Sequence, residues 1–270
     1  GHNITGTKET LSKISRFDLS DFYDRVYLAN NASLVIAGDF SAEKILPVLK
    51  KAFGGWKKGV PPPYTFVPPK AVEGVSVKLL EKEQPTVDVR IGGFALKRTE
   101  SDYVAAKVLI NILNDRLSRN GGKFKATLTA RKLPGSFTLS ANLPTPNQTS
   151  QEIVAAIAEL KRLTDINAGE LQAAKERTLQ EYSRILSTES KIEEAAKDSN
   201  ILIADRLAEI ENYDLGSSYA FTTLVNRVSL EEVKRVAEKY FSANNLIVVA
   251  VGSGLQESLK TVGSVELLDK

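Results

Sequence analysis

The chain has 270 residues, 42% of them hydrophobic, enough to fill one or two ordinary cores. Lysine and arginine number 36 against 33 aspartate and glutamate. So thin a positive excess argues against nucleic acid or an anionic membrane surface as partner, because both need clustered basic charge. Cysteine is absent, which removes disulfides, thiol nucleophiles and thiolate metal sites. No apolar run approaches the roughly 18–20 residues of a membrane span, and no stretch reads as a signal peptide, so periplasm and cytoplasm both stay open.

Ser15 precedes Asp18 by three, the spacing of a capping box, and Leu19, Phe22, Tyr23 and Val26 then recur at helical spacing. Asn30 and Asn31 supply a turn, Leu34 to Ala37 a buried strand, and Ser41 a cap for a helix carrying Ile45, Leu46, Leu49 and Phe53. Gly54 and Gly55 read as the close of that helix, with Trp56 as an anchor packed on the linker. The linker is "PPPYTFVPPK", Pro61 to Lys70, whose prolines favour extended backbone.

Val75, Val77 and Leu79 alternate, as do Val87, Val89 and Ile91, giving two half-buried strands. Ser101 is placed at the start of a helix striped by Val104, Val108, Leu109, Ile112 and Leu113. Alternation returns at Phe124, Ala126, Leu128 and Ala130 and at Phe137, Leu139, Ala141 and Leu143, with Pro134-Gly135 between them as a type II turn signal. Thr149 and Glu152 give another capping box, and a long helix runs from about Glu170 with Leu171, Thr178, Leu179, Tyr182 and Leu186 on one face.

The end of the chain repeats its beginning. "ANNASLVIAG" (Ala29 to Gly38) and "ANNLIVVAVG" (Ala243 to Gly252) align at a constant offset of 214 residues, and the match runs backwards without a gap. Ser15 and Asp18 face Ser229 and Glu232, Tyr27 faces Phe241, and Asn30 faces Asn244. A period of that length is far too long for a solenoid and points to two related domains.

The expected fold is α+β, a mostly antiparallel sheet with helices packed on one face, in a duplicated domain whose first copy is truncated. Residues 1–66 are expected to be the tail of that first domain with the start of the linker, and residues 67–270 a complete second domain.

The stretch "ISRFDLSDFYDRVYLANNASLVIAGDFSAEKILPVLKKAFGGW" (Ile14 to Trp56) resembles the pitrilysin/insulinase-type zinc peptidases, which include the mitochondrial processing peptidases. "LTARKLPGSFTLSANLPT" (Leu128 to Thr145) and "VGSVELLDK" (Val262 to Lys270) are similar to the second domain of its bacterial members. The resemblance implies paired α+β domains of similar length. It also implies, in active members, an H-x-x-E-H helix in the first domain that binds zinc and activates water.

That motif occurs nowhere here, and His2 is the sole histidine. No catalytic or metal-ligating residue is therefore expected in this chain, and zinc is expected only in the parent protein or a partner. Members often hold substrate with an Arg and a Tyr in a segment matching "NDRLSRNGGKFKATL" (Asn114 to Leu128), which here lacks Tyr. Arg116 and Arg119 are its nearest basic groups, and both read more simply as solvated helix-end residues. Glu176, Glu181, Glu193 and Glu194 sit among Lys and Arg at helical spacing, as on a solvated face. Gly92-Gly93 and Gly121-Gly122 lack phosphate-loop spacing.

The expected function is the non-catalytic half of a zinc peptidase system, walling a chamber and helping to bind peptide or unfolded protein. Its partner is a related catalytic domain or subunit. The alternative is a scaffold or assembly subunit of the same fold without peptidase work.

Overall fold

The computed structural model describes residues 5–63, 72–144, 148–186, 193–216 and 219–268. Most of the expected linker and His2 lie outside them. In chain order come helices α1 (Lys8–Ser12), α2 (Arg16–Val26) and α3 (Ala42–Phe53), then strands β1 (Gly74–Glu81) and β2 (Val87–Phe94), helix α4 (Tyr103–Ser118) and strands β3 (Lys125–Thr129) and β4 (Ser136–Leu143). Helices α5 (Thr149–Lys161), α6 (Ala168–Leu186), α7 (Glu193–Tyr213), α8 (Tyr219–Arg227) and α9 (Leu230–Tyr240) follow, and β5 (Asn245–Gly252), α10 (Gln256–Leu259) and β6 (Ser264–Leu267) end the chain. They divide into two units, residues 1–67 with 190–212, and residues 68–189 with 213–270.

In the larger unit six strands form one sheet in the order β3-β4-β2-β5-β1-β6. β3, β4, β2 and β5 pair antiparallel in turn, while β1 runs parallel to both β5 and β6. Period-2 alternation sends Val89, Ile91, Leu139, Val248 and Ala250 to one face, and register aligns them: Ile91 opposes Leu139 on one side and Val248 on the other. All five are buried, whereas outward-facing neighbours such as Arg90 and Asn142 are exposed. Helices α4, α5 and α9 close the inner face through Val108, Leu109, Ile112, Ile153, Val233 and Val236, and α6 and α8 pack onto α4. Each such fully buried aliphatic side chain contributes about 1.5–3 kcal/mol over exposure.

In the smaller unit, Leu28 is the one described hydrophobic residue in the buried class. Polar contacts shape it instead. Asn30 donates to Gly59 O (2.8 Å) and accepts from Gly59 N (3.0 Å), and Trp56 Nε1 donates to Tyr27 O (3.0 Å). Trp56 thus anchors on the turn after α2.

The two repeat copies share local structure. Ser15 (φ −96°, ψ 168°) and Ser229 (φ −95°, ψ 165°) each complete a capping box, each helix is 11 residues long, and the Tyr27 and Phe241 amides both bond one turn back, to Tyr23 O and Ala237 O. They part at the strand. Residues 245–252 form β5 between β1 and β2, whereas residues 32–37 form no strand. The expected strand at Leu34 to Ala37 is corrected for a physical reason: the smaller unit has no other strand among the described residues, and a lone strand leaves its ladder groups unpaired.

Four smaller expectations also change. Ser41 stands at the N-cap position of α3 but its side chain makes no cap bond. Helix α4 begins at Tyr103, after Asp102 rather than Ser101, and Asp102 makes no side-chain cap. Helix α5 starts after Gln148, with Thr149 buried inside its first turn rather than capping it. The β3–β4 hairpin forms, but Gly135 is not at positive φ, so its turn is not type II. Glycine is needed there for closeness, since a Cβ would stand 1.7 Å from Thr129 O.

Candidate functional site

Zinc does not fit the donor set of this chain. His2 is its sole histidine and cysteine is absent, and among the described residues no group of three or more His, Cys, Asp or Glu converges to hold a metal ion. Carboxylates alone are hard-cation donors, poorly suited to a water-activating zinc.

The two arginines of the expected substrate segment have different fates. Arg116 is buried rather than solvated, because α4 aims it at α6. Its Nε and Nη2 donate to Glu170 Oε1 (2.8 Å) and Oε2 (2.7 Å), and its remaining N–H groups reach Arg162 O (2.6 Å) and Asp165 O (3.2 Å). Those bonds hold the Glu170 carboxyl down, from 4.5 to about 2. With every guanidinium nitrogen engaged inside the fold, Arg116 is a structural tie. Arg119 remains exposed at the helix end and touches Glu170 at 3.3 Å. Of the acidic residues singled out, Glu176 accepts from Gln172 (2.8 Å) and Glu181 from Asn111 (3.4 Å), while the side chains of Glu193 and Glu194 lie outside the described residues.

The surface best built to receive a ligand is the other face of the sheet, opposite the one that α4, α5 and α9 close. Register sets three rows across it: Ser140, Arg90 and Val249; Thr138, Gly92 and Ile247; Ser136 and Phe94. Gly92 carries no side chain, so the middle row has a notch between Thr138 and Ile247. The β2–β5 ladder ends at the Gly92–Ile247 pair, and there a cavity of about 470 Å³ opens, reaching Lys239 and Tyr240 at the last turn of α9.

The family described as the peptidase M16 inactive domain matches residues 13–178. The chain belongs to that family. Among curated proteins it is 24% identical to the mitochondrial-processing peptidase subunit beta of Blastocladiella emersonii, over 93% of this chain and 56% of that protein. Its fold is similar to a peptidase M16 inactive domain from Pseudomonas fluorescens, with TM-score 0.77 and 19% identity over 93% of this chain and 61% of that one. It is also similar to a chain of complex III2 from Candida albicans, with TM-score 0.76 and 15% identity over 96% and 63%. The M16 chain thus spans about three fifths of the length of these relatives.

Beside the cavity, this M16 domain ties α9 to the start of α4. Asp102 accepts from Arg235 Nη2 (2.5 Å) and Lys239 Nζ (3.1 Å), and Tyr240 Oη donates its one proton to Glu100 (2.6 Å) while lying 3.2 Å from Asp102. Bonds from Arg235 chiefly, set against burial, hold the Asp102 carboxyl well below the usual range. Lys239 and Tyr240 are therefore fixed where they line the cavity. Sequence reasoning missed this site. Its available signal was a glycine pair inside an alternating strand, which marks close backbone approach or an open surface.

Proposed function

We propose that this M16 chain is the non-catalytic, peptide-contacting half of a zinc peptidase system. Hydrolytic chemistry would come from a related domain elsewhere in the polypeptide or from a partner subunit. The outer sheet face carries the reading: Arg90, Lys239 and Tyr240 line one cavity with apolar residues, in a chain whose donors do not suit zinc. We also propose that residues 1–66 belong to a first domain of this kind and residues 67–270 to the second. Supporting that division are the matched capping boxes and helix lengths of the two copies.

The test is photo-crosslinking of the 270-residue chain with an unfolded peptide bearing a benzoylphenylalanine, alongside a quenched-peptide cleavage assay with added zinc. Crosslinks on β2, β4 and β5 without cleavage are expected. Zinc-dependent cleavage by this chain alone would sink the non-catalytic reading. The fold shared with a complex III2 chain favours a second reading, an assembly subunit, and an absence of crosslinks would select it.

A further inference from the structure

We propose that the cavity at Gly92 is a subsite for an extended peptide with a bulky apolar residue and a carboxylate two positions apart, and that Arg90 is the counter-ion. The proposal rests on the peptide-contacting reading above and specifies its sequence preference.

The notch itself is forced by packing. A Cβ at Gly92 would stand 2.6 Å from the backbone carbonyl oxygen of Phe137, so that position must lack a side chain. The consequence is a depression walled by Ile247, Val249 and Phe94, of a size typical for binding sites. Phe94 is 48% exposed beside it, a large apolar group with no cover from its own domain.

Charge selects the ligand's sign. Of the residues lining the cavity, Arg90 and Lys239 are the ionisable ones apart from Tyr240, and no carboxylate lines it. Lys239 is engaged by Asp102 (3.1 Å). Asp88, two residues from Arg90 on the same face, accepts from Asn142 (2.6 Å) and Gln84 (3.3 Å). Arg90 makes no hydrogen bond or ion pair among the described residues, and the Ser136 and Thr138 hydroxyls likewise have none. A guanidinium facing an apolar hollow favours an anion, and carboxylate matches its fork.

Spacing selects the separation. Arg90 and Gly92 are two residues apart on one strand, so their separation is about 6.6–6.8 Å, and an extended peptide places its residues i and i+2 on one side at that same spacing. An apolar side chain in the notch thus brings the carboxylate two residues along to Arg90. The unpartnered hydroxyls of Ser136 and Thr138 favour a peptide over a fatty chain, since backbone N–H and C=O groups can bond them and methylenes cannot.

Fluorescein-labelled nonapeptides of serine and glycine, with Leu-Ser-Glu, Leu-Ser-Gln, Ala-Ser-Glu or Leu-Glu at the centre, test this by anisotropy with the full 270-residue chain. Methyl NMR of Ile247 and Val249 locates the binding. The Leu-Ser-Glu peptide is expected to bind tightest, with loss of the Leu or of the carboxylate each weakening it about fivefold. Arg90→Glu should weaken the Glu peptide about tenfold and leave the Gln peptide unchanged; Arg90 is exposed, so an unaltered unfolding midpoint is expected for this variant. Equal binding of Glu and Gln peptides, or indifference to Arg90→Glu, overturns the proposal. Peptides that bind while the Ile247 and Val249 methyls stay still overturn this subsite but leave the peptide-contacting reading standing. Absence of any peptide binding overturns both, and dodecanoate shifting those methyls when no peptide does would make a lipid carboxylate the occupant instead.

Discussion

Arg116 and Glu170 meet between α4 and α6 as a two-pronged ion pair, their side chains 5% and 11% exposed. Geometry of this kind ties helix to helix, and its weakness is that neither partner tolerates losing the other. Glu170→Gln would leave a buried guanidinium without its counter-ion, at a cost of about 3–5 kcal/mol. A drop of that size in the denaturant-derived stability is expected, larger than for Arg119→Ala at the exposed helix end.

The same pair sets an acid dependence. Glu170 titrates at about 2 in the fold against 4.5 ordinarily, so between those values the unfolded chain binds the extra proton. Its stabilisation is complete above pH 4.5 and is lost as pH falls through the window toward 2. Urea titrations from pH 5 to pH 2.5 should show this loss, and Glu170→Gln should flatten that part of the curve. An unchanged slope in the variant would remove Glu170 from the account.

The repeat offers a matched comparison of one helix face in two settings. Leu19, Phe22 and Tyr23 of α2 occupy the places of Val233, Val236 and Ala237 in α9. The latter are buried, while the former are 62%, 57% and 55% exposed. Val236→Asp places an unpaired charge in the core and should cost more than about 3 kcal/mol. Phe22→Asp, on the exposed copy, should cost under about 0.5 kcal/mol. Comparable losses in the two variants would mean that the α2 face is covered in solution.

Gly135 gives a test of close approach. With a Cβ 1.7 Å from Thr129 O and 2.7 Å from its carbonyl carbon, Gly135→Ala forces the β3–β4 hairpin apart at backbone atoms that cannot rotate away. The Ala95 amide also bonds Gly135 O (2.9 Å), so the shift would spread to the segment after β2. A loss of at least about 2 kcal/mol is expected, whereas Gly55→Ala, with nothing near its missing Cβ, should change little.

What the sequence made legible was what local periodicity controls. Alternation located β1, β2, β3 and β4, and the three-residue spacing of Ser15 and Asp18 and of Ser229 and Glu232 located both caps. Failures came where a partner distant in sequence decides. The strand expected at Leu34 has no neighbour to pair with, though its twin at Val248 sits at the sheet centre. Arg116 looked solvated because its partner lies 54 residues further along the chain. Thr149 matched a capping box but is drawn into the core. The Gly92 notch depends on β4 and β5 flanking β2, an order that no local pattern encodes.

The paired caps allow the repeat to be tested at its most local level. In each copy the serine hydroxyl accepts from the third helical amide, Asp18 N at 3.3 Å and Glu232 N at 3.1 Å, and the acid accepts from the serine amide at 2.8 Å. Ser15→Ala and Ser229→Ala should each remove about 1 kcal/mol of helix stability. Where that loss registers should differ. Helix α9 packs into the main core, so Ser229→Ala should lower the global unfolding midpoint. Helix α2 buries none of its residues, so Ser15→Ala should speed amide exchange within 16–26 and leave that midpoint in place. Equal shifts of the global midpoint would contradict this division, because they would require α2 to share the cooperative core of the larger unit.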